Sequence, residues 1–147
     1  MSALTTQPIV VPWDFSEMSK NALAKAVELA ASGQAIEVVH VTPYPAVMEP
    51  SVVWGAYSED EICENLTKAF RAEIPEDKYP GVTFHAFFGD PGSQIAKHAE
   101  NVGAGLVVIS SHGRTGLTRI VMGSVAERVV RLAPCPVLVL RSAPSED

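Results

Sequence analysis

Leu106-Val107-Val108-Ile109-Ser110-Ser111-His112-Gly113-Arg114-Thr115-Gly116 runs from four consecutive apolar residues straight into a polar, glycine-containing turn. Apolar residues at every position, rather than every second one, are expected where both faces of a strand are covered, as in a parallel sheet wrapped by helices. Downstream, Ser124 to Leu132 has helical spacing, and Pro136 to Arg141 reads as a last strand. Upstream, Asp90-Pro91 supplies a helix N-cap with proline at the first helical position, and that helix runs to about Asn101. Val82 to Phe88 precedes it as a strand.

The alternation continues toward the N-terminus. Ile9 to Val11 is a short β-branched run between Pro8 and Pro12, and Leu23, Ala24, Ala26, Val27 and Ala30 then recur at spacings of three and four. Asp14 and Ser16 are two candidate N-caps for this first helix, and Gly33 is expected to close it. Ile36 to Val41 is a second strand, and Pro43 to Tyr57 a long aperiodic loop. Ser58-Glu59-Asp60-Glu61 is a capping box that opens a helix to about Glu73. The order β-α-β-α-β-α-β-α-β predicts an α/β protein: a doubly wound, five-stranded parallel sheet with right-handed crossovers and helices on both faces. No repeat or linker interrupts the chain, so residues 1–147 are expected to form one domain with a frayed polar tail over 142–147.

Seventeen acids against eleven bases leave a net charge of -6, which argues against nucleic acid or an anionic membrane as the main partner. The charge is uneven: Arg114, Arg119, Arg128 and Arg131 cluster between His112 and Leu132 with Glu127 as the sole acid, a distribution suited to receiving a small anion. Met1 to Pro8 lacks the basic and apolar regions of a secretory signal, and the apolar runs are strand-sized rather than membrane-spanning. Cys63 and Cys135 are too few for a disulfide framework or a metal knuckle. A cytoplasmic, reduced location is the expectation.

In a doubly wound sheet, ligands bind outside the carboxyl ends of the strands, where the winding reverses. Pro12-Trp13-Asp14, Val41-Thr42 and Ser110 to Gly116 sit at such ends. Gly113 and Gly116 can expose backbone amides, Arg114 adds a permanent charge, and Gly123-Ser124 opens a helix whose first N–H groups lack internal partners. Together these make a phosphate site, although the same glycines also serve an ordinary turn and helix start. The pattern is neither the Gly-Lys-Ser/Thr phosphate loop nor a dinucleotide fingerprint. No G-x-S-x-G elbow activates a serine, and no His, Cys or carboxylate cluster has metal-ligand spacing, so neither catalytic residues nor metal ligands are assigned. His40 reads as a satisfied interior histidine; Cys63 and Cys135 read as packing residues.

The strings Ser111-His112-Gly113-Arg114-Thr115-Gly116, Gly123-Ser124-Val125-Ala126-Glu127 and Pro134-Cys135-Pro136-Val137-Leu138-Val139 resemble the C-terminal signature of universal stress proteins. Val11-Pro12-Trp13-Asp14-Phe15-Ser16-Glu17 is similar to the same family's first strand and helix start. The resemblance implies the strand order 3-2-1-4-5, with strands 1 and 4 side by side. It also implies a nucleotide motif, G-x2-G-x9-G followed by Ser or Thr, whose second part is matched by Gly113, nine intervening residues, Gly123 and Ser124. By position, Gly113, Arg114, Gly123, Ser124 and Val125 would hold phosphates. Asp14 and the backbone of Val41 would meet the nucleoside, with Pro12 lining its pocket. The motif's first glycine is Ser110 here, whose side chain either crowds the ribose or hydrogen-bonds to it.

The implied ligand is ATP, with ADP or AMP as alternatives, accompanied by Mg²⁺ or Mn²⁺ when phosphates are held. The resemblance also implies a homodimer joined through the apolar last strand, Val137, Leu138, Val139 and Leu140. Three functions compete: a homodimeric ATP-binding stress-response regulator with little or no turnover, a nucleotide-free interaction scaffold, and a slow ATPase or adenylate-transferring enzyme. Gly113, Gly123 and Ser124 favour the first and Ser110 the second; the lack of a recognisable nucleophile or base disfavours the third.

Overall fold

Ile9-Val10-Val11-Pro12 is buried along its whole length, and the rest of the sheet is laid out on either side of it. The computed structural model describes residues 5–44, 58–111 and 122–141. Its elements are β1 (Ile9–Pro12), α1 (Glu17–Leu29), β2 (Ile36–Thr42), α2 (Glu59–Glu73), β3 (Val82–Phe88), α3 (Pro91–Val102), β4 (Leu106–Ser110), α4 (Ser124–Leu132) and β5 (Val137–Leu140). The five strands form one sheet in the order β3-β2-β1-β4-β5, and every adjacent pair is parallel. This is the doubly wound α/β architecture expected from the element order.

Successive side chains of a strand point to opposite faces, so consecutive apolar residues are divided between two half-cores. Ile9, Val11, Ile36, Val38, Leu106 and Val108 face α1 and α2, meeting Leu23, Ala26 and Phe70. Val10, Val39, Val41, Val107 and Ile109 face α3 and α4, meeting Ile95, Ala99, Ala126 and Val129. Each such Val, Leu or Ile contributes roughly 1.5–3 kcal/mol by leaving water.

The helix starts follow the expected chemistry. The side chains of Ser16, Ser58 and Asp90 cap α1, α2 and α3, accepting from the amides of Ser19, Glu61 and Ser93. The end of α1 differs from the sequence expectation. Ala30 leaves the helix in an extended conformation (ψ 143°) while its N–H still bonds to Ala26. Gly33, with φ 79°, belongs to the turn beyond, which Gln34 closes by bonding back to Ala31. The closing glycine of α3 is Gly103, which does hold the left-handed cap position at φ 65°.

One detail of the ladder opens the site. β1 pairs with β2 through Pro12, but its pairing with β4 stops at Val10↔Val107. Proline has no N–H to donate, so the strand cannot continue a full ladder on both sides. The carboxyl ends of β1 and β4 separate there. Of the long loop expected from Pro43 to Tyr57, residues 45–57 lie outside the described residues, as does the tail 142–147. Among the described residues no helix is long and apolar enough to cross a membrane.

Candidate functional site

The turn after β1 is held by a compact knot of hydroxyls around one carboxylate. Asp14 Oδ1 accepts from the Ser16 backbone N–H (3.1 Å) and from the hydroxyls of Ser16 and Ser19. The Asp14 N–H donates in turn to Ser19 Oγ (2.9 Å), and Ser19 is buried. Asp14 therefore braces the cap residue Ser16 rather than capping α1 itself. Between them Phe15 takes φ 66°, a left-handed conformation that costs a bulky residue on the order of 1 kcal/mol. Edge-on contacts of its ring with Trp13 (5.9 Å between centroids) and His40 (5.3 Å) hold it in place.

Trp13 is 3% exposed and stands edge-on to Phe70 at 5.0 Å, while its Nε1–H has no hydrogen-bond partner among the described residues. His40 Nδ1 lies 2.8 Å from the Trp13 carbonyl. A carbonyl only accepts, so Nδ1 carries the proton and the ring is locked against the end of β1. This agrees with the reading of His40 as a satisfied interior histidine.

Across the gap, the Ser111 N–H donates to Leu140 O (2.8 Å), and its own carbonyl accepts from the Gly123 N–H (2.6 Å). That pair ties the end of β4 to β5 and to the start of α4. Gly123 is the N-cap of α4 and, having no side chain, makes no side-chain cap bond, unlike the residues that start the other helices. The first amides of α4 are those of Ser124 and Val125.

These strand ends and helix starts enclose a cavity of about 370 Å³, within the ~300–1,000 Å³ usual for small-molecule pockets. Its apolar walls come from Val39, Val41, Ile95, Ile109 and Ala126. Asp14, Ser110, Ser111 and Ser124 are the residues with polar side chains that border it alongside Ser19 and His40. Of the residues singled out from sequence, Pro12, Asp14, Val41, Ser110, Gly123, Ser124 and Val125 all border it. Gly113, Arg114 and Gly116 lie outside the described residues. Sequence reasoning missed Ser19, Ile95 and Pro91 as wall residues. Helical spacing marks Ile95 as a core residue but cannot say which end of the core is hollow.

Charge steadies the flank of the cavity. Arg128 of α4 donates through Nε to Asp90 Oδ2 (2.7 Å) and through a terminal nitrogen to Ser93 Oγ (3.1 Å), tying α4 to the start of α3. The Arg128 bond, followed by the Ser93 side-chain and backbone bonds, lowers the Asp90 carboxyl to about 2. The two helices touch closely at Gly92, where an added Cβ would meet Arg128 Cβ at 2.6 Å.

Residues 5–141 match the model of the universal stress protein family. The chain belongs to that family. Universal stress protein MJ0531 of Methanocaldococcus jannaschii is 37% identical, over 94% of this chain and 84% of the relative. The structure of universal stress protein UspA from Lactobacillus plantarum superposes with a TM-score of 0.77 at 24% identity, covering 92% of this chain and 98% of that one. A universal stress protein from Archaeoglobus fulgidus in complex with dAMP superposes at 0.60 with 24% identity, over 92% and 98% of the two chains. At these identities the likeness to the two structures is one of fold. This universal stress protein thus has the family's sheet order and an open crevice at its winding reversal.

Proposed function

We propose that the protein is an adenine-nucleotide-binding regulator of the stress response, holding ATP in the cavity with little or no turnover. The observation that carries this reading is the cavity at the parted ends of β1 and β4, faced by a helix start with no side-chain cap. Its residues fit the ligand. The amides of Ser124 and Val125 suit phosphate oxygens, and the α4 dipole adds roughly 0.3–1 kcal/mol per charge, up to about 2 when partly buried. Micromolar affinity needs about 8 kcal/mol, so the apolar walls must supply much of it by covering the base. Asp14, an acceptor held by two serines, suits the hydroxyl donors of a ribose, with Val41 and Pro12 beside it. Ser110 meets the sugar through its hydroxyl, while Gly113, Arg114 and Gly116 complete the phosphate contacts. Mg²⁺ or Mn²⁺ accompanies the phosphates.

Binding without turnover is favoured because His40 Nδ1 is committed to the Trp13 carbonyl and Asp14 Oδ1 to the hydroxyls of Ser16 and Ser19. The dAMP held by the Archaeoglobus fulgidus protein supports an adenine ligand. The protein acts in the cytoplasm as a homodimer joined through β5.

The first test is to denature freshly purified protein and resolve the supernatant by ion-exchange chromatography. Near-stoichiometric ATP, ADP or AMP is expected. A clean supernatant, with no heat on titration with Mg-ATP, overturns the reading in favour of the interaction scaffold to which Ser110 points. Steady release of phosphate from added ATP would instead make the protein an enzyme.

A further inference from the structure

Glu37 interrupts the apolar run of β2, and its side chain is only 16% exposed. A carboxylate so placed needs partners, because burying an unpaired charge is strongly unfavourable. Two histidines supply them, from elements far apart in sequence. His85 Nε2 of β3 lies 2.8 Å and His98 Nε2 of α3 lies 3.0 Å from the same oxygen, Glu37 Oε1. The three candidate donor atoms all fall within 4.8 Å of one another, and among the described residues this is the group of His, Cys, Asp and Glu with that property.

We propose that Glu37, His85 and His98 are the ligands of a divalent transition-metal cation, with Zn²⁺ the best match. Two imidazoles and one carboxylate form a donor set typical of zinc with an open fourth position, and one that hard cations such as Mg²⁺ and Ca²⁺ seldom select. Zinc–ligand bonds of about 2.0–2.1 Å in a tetrahedron place ligand atoms about 3.3 Å apart. The observed separations of 2.8 and 3.0 Å need to widen by only a few tenths of an ångström. Binding requires the lone pair of each Nε2, so in the metal-bound form the ring proton of each neutral histidine resides on Nδ1. In the metal-free cluster each Nε2–H donates to Glu37 Oε1, so on binding Nε2 gives up its proton to solvent while Nδ1 takes one up, and a neutral histidine releases no net proton.

Access differs across the cluster. His98 is buried, its ring tilted against those of His85 (4.7 Å) and Phe87 (5.3 Å). The His85 side chain is 35% exposed, which gives the ion an entry and leaves room for a bound water. Thr83 Oγ1, 3.2 Å from His85 Nε2, stands where it can hydrogen-bond such a water. None of the three ligands lines the candidate nucleotide cavity, so this site is separate from it. Its occupant would join β2, the edge strand β3 and α3, fastening an edge of the sheet that only β2 otherwise pairs.

The test uses the full chain, stripped with chelator and free of nucleotide, with Cys63→Ser and Cys135→Ser made in parallel to remove thiol ligands. ZnCl₂ is titrated by calorimetry and thermal melting, and CoCl₂ by visible spectroscopy. One Zn²⁺ per chain is expected, with Tm raised about 5–10 °C at a hundredfold excess over Kd. The d–d bands of four-coordinate Co²⁺ should appear with the same stoichiometry. Glu37→Gln preserves size and an acceptor oxygen and should weaken binding more than about tenfold, since even outer-shell changes cost 10–100-fold. His85→Asn, at the more exposed position, serves if Glu37→Gln fails to fold. Absence of heat and of a Tm shift in the unsubstituted chain overturns the proposal and leaves a purely hydrogen-bonded cluster. Binding undiminished in a folded Glu37→Gln or His85→Asn variant overturns the ligand assignment.

Discussion

Single side chains set the electrostatics of this molecule, and Asp90 is the clearest case. It caps α3 and accepts from Arg128, and these bonds hold its carboxyl near 2, below the ordinary 3.8. A carboxyl with a lowered folded value contributes stability that is complete above its unfolded value and is lost as pH falls through the folded one. The relevant window is therefore about pH 4 down to pH 2. Half of the Asp90 side chain is exposed, so solvent screening limits the pair to about 0–1 kcal/mol. Urea unfolding of Arg128→Met between pH 5 and pH 2 should show a shallower acid-side loss than the unsubstituted chain. An identical slope would show that the pair carries no pH-dependent stability. Asp14 illustrates a different residue-scale role: its Oδ1 accepts from Ser16 and Ser19, and so shapes the turn that forms one cavity wall.

Between elements, the contact that positions the site is the crossing of α3 and α4 at Gly92. The helices approach so closely that any side chain at this position meets the stem of Arg128. Gly92→Ala should therefore destabilise the protein by about 1–3 kcal/mol despite the higher helix propensity of alanine, because overpacking outweighs the gain of about 1 kcal/mol. Chemical denaturation checks this, and a more stable variant would mean that Arg128 swings aside at no cost. The same substitution should weaken nucleotide retention, because pushing α4 outward moves the Ser124 and Val125 amides from the cavity wall.

The whole molecule presents β5 as one edge of the sheet, with Val137, Leu138, Val139 and Leu140 each only partly buried. Val130 and Leu132, on the neighbouring helix, are 46% and 42% exposed. An edge of this kind, with unpaired backbone groups and apolar side chains, invites a second chain. Val139→Lys is expected to convert the proposed dimer into a monomer by light scattering, with far-UV circular dichroism confirming that the fold survives. A folded variant of unchanged dimer mass would refute the β5 interface.

Much of this architecture was legible in the residues themselves. The apolar runs, the caps Ser58 and Asp90 and the order of elements depend on local chemistry, since capping and side-chain periodicity act within a few residues. Hence α2, α3, β3 and α4 begin where the pattern predicts, whereas Gly33 does not close α1, because Ala30 leaves that helix three residues earlier. The strand ends that line the cavity were legible too, because in a doubly wound sheet the carboxyl ends converge on the winding reversal. What needed the tertiary structure was every meeting between distant segments. Arg128 finding Asp90, and Glu37 gathering His85 and His98, span 38, 48 and 61 positions of chain. A lone glutamate within a β-branched strand signals that a partner exists, but only the parallel register of β2 with β3, and the packing of α3 above them, chooses which residues it meets. Local sequence determined the elements and their order; the sheet register and helix packing determined which charges and rings came together, because those contacts cost chain entropy that only the assembled core repays.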